Sequence, residues 1–95
     1  MDKQNSHFFY VLECGDGSYY AGYTNDIDKR VRTHNEGKGA KYTRAKLPVR
    51  CIYNEQYETK RAAMQAEYRF KQLTRHSKEL HMRKGQQTDE IPKER

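Results

Sequence analysis

Glu67 is the first anomaly in this sequence. If residues 60 to about 75 form a helix, Ala63, Ala66, Phe70 and Leu73 share one face, and at ~100° per residue Glu67 falls inside that apolar arc. A carboxylate facing a core must be protonated, paired with a cation or bound to a metal, since leaving it alone costs several kcal/mol. A shorter helix, Asp26 to about Asn35, repeats the oddity: Ile27, Val31 and His34 recur at helical spacing and Arg30 lies beside them. Two potential cations on one inner face and a carboxylate on another fit a shared polar site between helices over a sheet; a structural Arg–Glu bridge fits the same pattern. Tyr10 and Tyr20 add hydroxyls from adjacent antiparallel strands, and a turn centred on Gly15-Asp16 places them nearly opposite one another. Gly22, two residues on, leaves space over the same face. Either tyrosine alone could equally be a core aromatic whose hydroxyl reaches water.

These side chains need elements to hold them. Phe8 to Cys14 is rich in aromatic and branched residues, Gly15-Asp16-Gly17-Ser18 signals a turn, and Tyr19 to Tyr23 completes a hairpin. Thr24-Asn25-Asp26 supplies cap candidates for the short helix, which Asn35 and Gly37 close. Glu36 to Lys46 reads as a glycine-punctuated basic loop, and Pro48 opens a third strand, Val49 to Glu55, with Val49, Cys51 and Tyr53 alternating. Thr59 caps the helix from Lys60, and Ser77 to Lys84 forms a further short one. The expected fold is α+β: a single small domain, β-β-α-β-α(-α), with a three-stranded antiparallel sheet flanked by helices. It spans residues 7–84, between disordered ends at 1–6 and 85–95.

At 95 residues the chain has room for one core and no repeat array. Its 19 Lys and Arg against 13 Asp and Glu give a net charge of +6, which points to an anionic partner. Eight of the cations and only one acid lie between residues 29 and 50, so the rest of the chain is close to neutral. Cys14 and Cys51 have no ligand at zinc spacing and are expected as reduced packing residues. No apolar run approaches the ~20 residues of a membrane span, and Met1 to Ser6 lacks a signal-peptide core. Membrane and secreted classes are thereby set aside, and a cytoplasmic protein is expected.

Tyr10 in a first strand, Tyr20-Ala21-Gly22 in a second, Arg30 ten residues later, His34 four after that and Glu67 in a later helix together resemble the GIY-YIG nuclease domain. The resemblance covers residues 7–84 and is closest to small stand-alone bacterial members, with Gly39-Ala40-Lys41-Tyr42-Thr43 and Ala66-Glu67-Tyr68-Arg69-Phe70-Lys71 in the places such proteins have them. Phe8-Phe9-Tyr10 keeps only the tyrosine of the first triplet, and Tyr20-Ala21-Gly22 keeps the tyrosine and glycine of the second. The departures fall at backbone and packing positions.

The resemblance implies metal-assisted hydrolysis of a phosphodiester bond in nucleic acid, DNA ahead of RNA. Glu67 would hold one divalent cation, Mg²⁺ with Mn²⁺ as substitute, and Arg30 would donate to non-bridging phosphate oxygens. Tyr10 would be the general base, with Tyr20 and His34 positioning it or sharing its proton, although the choice among the three stays open. A phenol of pKa about 10 is only ~0.1% ionised at pH 7, so nearby cations would have to lower it. Lys38, Lys41, Arg44 and Lys46 would meet phosphates at the rim and Tyr42 would stack. Target choice would fall to a larger partner protein. Two further readings stay open: a catalytically idle nucleic-acid-binding module, and an adaptor whose basic loop docks an acidic protein.

Overall fold

A computed structural model of the chain describes the backbone of residues 6–90 and the side chains of residues 6–85. Its elements are β1 (His7–Glu13), β2 (Tyr19–Thr24), α1 (Ile27–Asn35), α2 (Lys41–Arg44), β3 (Arg50–Tyr57), α3 (Lys60–Lys71) and α4 (Arg75–Glu90). The β-β-α-β-α-α order matches the expectation, with α2 as one additional turn inside the basic loop. The side chains of Asp26 and Thr59 cap α1 and α3 by accepting from the amides of Lys29 and Ala62. Thr74 accepts the Ser77 amide at 3.1 Å, so α3 ends before residue 75 and α4 begins there. Helix α4 also continues past Gly85, through the first part of the expected tail; residues 1–5 and 91–95 of the two expected ends lie outside those described. Among the described residues no helix is long and apolar enough to cross a membrane.

The sheet is antiparallel in the order β2-β1-β3. Central β1 buries four residues in succession, Phe9 to Leu12, because both of its faces are covered. On one face Phe9, Val11 and Ala21 pack with Ala66 and Phe70 of α3 and Met82 of α4. On the other Tyr10, Leu12 and Cys14 pack with Val49, Tyr20, Val31 of α1 and Leu47. Phe9 and Ala21, the middle residues of the two triplets, are thus core residues. Strand β3 does not alternate simply: Val11 pairs with Tyr53 and Leu12 with Cys51, leaving Ile52 as an extra residue. This bulge sends both Ile52 and Tyr53 to the α3 face while Cys51 stays on the other.

The hairpin register differs from the sequence expectation. Tyr10 faces Gly22, and Tyr20 faces Leu12, so the two tyrosines are diagonal neighbours on one face rather than an opposed pair. The turn is centred later, at Asp16, whose carboxylate accepts from the Ser18 amide at 3.0 Å and hydroxyl at 2.6 Å, and Gly17 supplies the positive φ of 87°.

Asn35 ties α1 to the start of β3 with both ends of its amide: Nδ2 donates to the Val49 carbonyl at 3.0 Å and Oδ1 accepts the Val49 amide at 2.8 Å. Asn35→Ala should cost about 1–3 kcal/mol by stranding the amide and the carbonyl of Val49. Chemical denaturation checks this; an unchanged midpoint would contradict it.

Candidate active site

The side chains singled out in the sequence converge on Tyr10. Its ring is buried (1% exposed), and its hydroxyl lies 3.2 Å from His34 Nε2. The position fits only because Gly22 stands opposite: a Cβ there would come within 2.6 Å of the Tyr10 oxygen. Arg30, on the inner face of α1, lies close enough to the Tyr10 hydroxyl to favour its ionised form, and Tyr20 and Glu67 lie close enough to oppose it electrostatically. Tyr20 packs edge-on to the His34 ring, with centroids 5.4 Å apart, and Tyr42 stacks on Tyr20 at 6.0 Å.

The helices approach from opposite sides. Arg30 and His34 come from the layer over the Tyr10 face, whereas α3, which carries Glu67, packs on the Phe9 face. As the helical periodicity required, the Glu67 side chain is largely withdrawn from water, at 16% exposed. Its cation is Lys71, 2.8 Å away and one turn on in the same helix, so the Arg–Glu bridge between helices that the sequence left open is not formed. Arg30 instead keeps Nε buried with no hydrogen-bond partner. A guanidinium is the least tolerable group to leave unpaired, and an orphaned N–H beside Tyr10 is a donor waiting for an anion.

Electrostatics of the free site oppose early ionisation. Burial pushes the Tyr10 phenol up and outweighs the Arg30 guanidinium, which pulls it down. Burial, and then the Arg30 charge, push the His34 imidazole down, which keeps it neutral at physiological pH.

The rim divides. Lys38, Lys41 and Arg44 are exposed, and among the described residues none forms an ion pair with them. Lys46, by contrast, binds Asp16 at 3.2 Å and lies over the Tyr42 ring at 4.9 Å, so it orders the rim more than it offers a free charge. Gly39 makes room for His34: a Cβ there would overlap the imidazole at Nδ1. Thr43, the fully buried residue of α2, is the polar residue that sequence reading missed; its Oγ1 lies 2.8 Å from His34 Nδ1. Its signal was the segment Gly39 to Thr43, quoted above without a role.

A metal has a restricted choice of ligands. Near Tyr10 the donors are one carboxylate and phenolic oxygens, and among the described residues no three His, Cys, Asp or Glu side chains cluster. Hard oxygen donors in such small number suit a largely hydrated Mg²⁺ or Mn²⁺ completed by substrate oxygens, held by Glu67, and do not suit a protein-enclosed soft-metal site. A groove of about 830 Å³ does lie on the outer side of α3, between Lys60, Met64 and Tyr68. It contains none of Tyr10, Tyr20, Arg30, His34 and Glu67, so the convergent polar groups mark the site and volume does not.

Comparison with known proteins agrees with this geometry. A family model described as the GIY-YIG catalytic domain matches residues 6–80. A UPF0213 protein of Bacillus cereus is 67% identical over 84 residues, 88% of each chain. The UPF0213 protein YazA of Bacillus subtilis is 59% identical over 88 residues, covering 93% of this chain and 89% of the relative. The solution structure of a protein from E. faecalis, 46% identical, superposes with a TM-score of 0.61 over 90% of this chain and 92% of that one.

Proposed function

The chain belongs to the GIY-YIG family, a family of nucleases, and from that premise we propose that it is a metal-dependent endonuclease hydrolysing phosphodiester bonds, in DNA ahead of RNA. The observation that carries the reading is the buried, unpartnered Arg30 Nε beside Tyr10. A purely structural arginine would have been satisfied by the protein itself. Here it is kept for an anion, and the rim cations surround the approach with positive charge.

Glu67 would hold Mg²⁺ in place of Lys71, and the ion when bound would supply Lewis-acid stabilisation of charge on the phosphoryl group. Arg30 would bind the non-bridging oxygens and meet the charge that builds in the in-line transition state. Tyr10 would take the proton of the attacking water after passing its own to His34. Tyr20 and Tyr42, stacked together, would wall the site and present an aromatic face to a base. Lys38, Lys41 and Arg44 would contact phosphates, which carry no sequence information, so a larger partner protein is proposed to direct target choice in the cytoplasm.

Labelled DNA incubated with the protein in Mg²⁺ or EDTA tests the reading: metal-dependent products are expected, and products that persist in EDTA would overturn it. Binding should also weaken with salt. About four phosphate contacts, counting Arg30, predict a loss of ~10²-fold between about 50 and 200 mM salt. A filter-binding series checks this, and an affinity that stays level across it would remove the rim from the account.

A further inference from the structure

We infer that Thr43 is a positioning residue that holds His34 as its Nδ1–H tautomer and thereby turns Nε2 into the acceptor for the Tyr10 proton. The relay rests on the nuclease reading; the tautomer does not.

The directions of the hydrogen bonds follow from counting protons. Thr43 Oγ1 has one, and it donates to the Ala40 carbonyl at 2.9 Å. A carbonyl can only accept, so the proton is committed, and Oγ1 meets His34 Nδ1 at 2.8 Å through a lone pair. Nδ1 must therefore carry hydrogen. In a neutral imidazole Nε2 is then bare, and it accepts the Tyr10 hydroxyl at 3.2 Å.

The reverse assignment fails twice. The oxygens of Thr43 and Ala40 would face each other at 2.9 Å with no proton between them. The Tyr10 oxygen would take the hydrogen of Nε2, and its own proton would lose His34 as acceptor. Water cannot repair either fault, because Tyr10 is 1% exposed and His34 and Thr43 are 0% exposed. Gly39 completes the device by letting the imidazole sit directly against the loop backbone.

The chain thus runs from Tyr10 through His34 and Thr43 to Ala40, every donor pointing the same way. When it fires, the Tyr10 O–H bond breaks and an Nε2–H bond forms, leaving phenolate and imidazolium with unchanged total charge. The phenolate then accepts one proton from the attacking water. The raised phenol and lowered imidazole keep both groups neutral until a substrate changes the field.

The test is long-range ¹H–¹⁵N NMR of the histidine rings in ¹⁵N-labelled protein near neutral pH, with His34 assigned by its loss in His34→Gln. Wild type should show a protonated Nδ1 and a bare Nε2. Thr43→Val, nearly isosteric, should shift the ring to the other tautomer, and Thr43→Ser should restore the wild-type pattern. An Nε2–H tautomer in the wild type would overturn the inference even if Thr43→Val fails to fold, and so would a spectrum that a folded Thr43→Val leaves unchanged. In cleavage assays Thr43→Val should lower kcat by ~10²-fold with little change in KM. A shifted tautomer with undiminished kcat would also overturn the positioning role. Wild type that shows the expected tautomer and cleaves nothing would instead count against the nuclease reading.

Discussion

Replacing Arg30 with alanine should lower Mg²⁺-dependent cleavage by about 10³-fold or more without loss of fold stability. The two halves of this result have one cause. Arg30 leaves a buried Nε unsatisfied, which costs the free protein on the order of 1–3 kcal/mol, and the same N–H is available to a phosphate oxygen. Removing the side chain deletes that penalty together with the catalytic contact. Arg30→Lys should rescue only weakly, because an ammonium cannot reproduce the planar fork toward two phosphate oxygens. Single-turnover cleavage and thermal denaturation of the same preparation decide the matter. If Arg30→Ala unfolds the protein, or cleaves as well as wild type, Arg30 is a structural residue and the central contact of the account is lost.

Glu67→Gln should have the second large effect. The amide keeps the shape of the side chain and loses its charge, so a divalent cation loses its one protein carboxylate while the helix keeps its packing. The lost ion pair with Lys71 is an i, i+4 contact worth only about 0.3–0.5 kcal/mol, so stability should barely move. Charge stabilisation by the metal is worth several kcal/mol, which at 1.36 kcal/mol per decade gives a fall of ~10²–10³-fold. Line broadening on titration with Mn²⁺ provides the independent check: resonances near Glu67 should broaden in wild type and not in the variant. Equal broadening in both would move the metal off Glu67.

Much of this was legible in the sequence where the signal is local. Asp26 and Thr59 precede their helices as caps because a side-chain oxygen can reach an amide three residues on, and both do. Glu67 stood out because helical periodicity alone fixes which residues share a face, and its side chain is withdrawn as that required. What escaped depends on distant pieces of chain. The face from which α3 approaches is set by packing of Ala66 and Phe70 against Phe9, which no spacing within α3 encodes. The Tyr10–Gly22 pairing turned on one residue of hairpin centring, and Asp16 and Gly17 decided it. The bulge at Ile52 exists only in relation to β1. Helix α2 is a single turn without a side-chain cap, too short to show a period, and Thr43 was hidden with it.

The most direct test of the central claim is a side-by-side cleavage assay of wild type and Glu67→Gln. Labelled linear, flap and branched DNAs would be incubated with each protein in Mg²⁺, in Mn²⁺ and in EDTA. The account predicts nicked or cut product from wild type with either metal, none in EDTA, and at most a trace from Glu67→Gln. Tight binding by wild type with no product under any metal condition would contradict it, and equal product from the two proteins would contradict it as firmly.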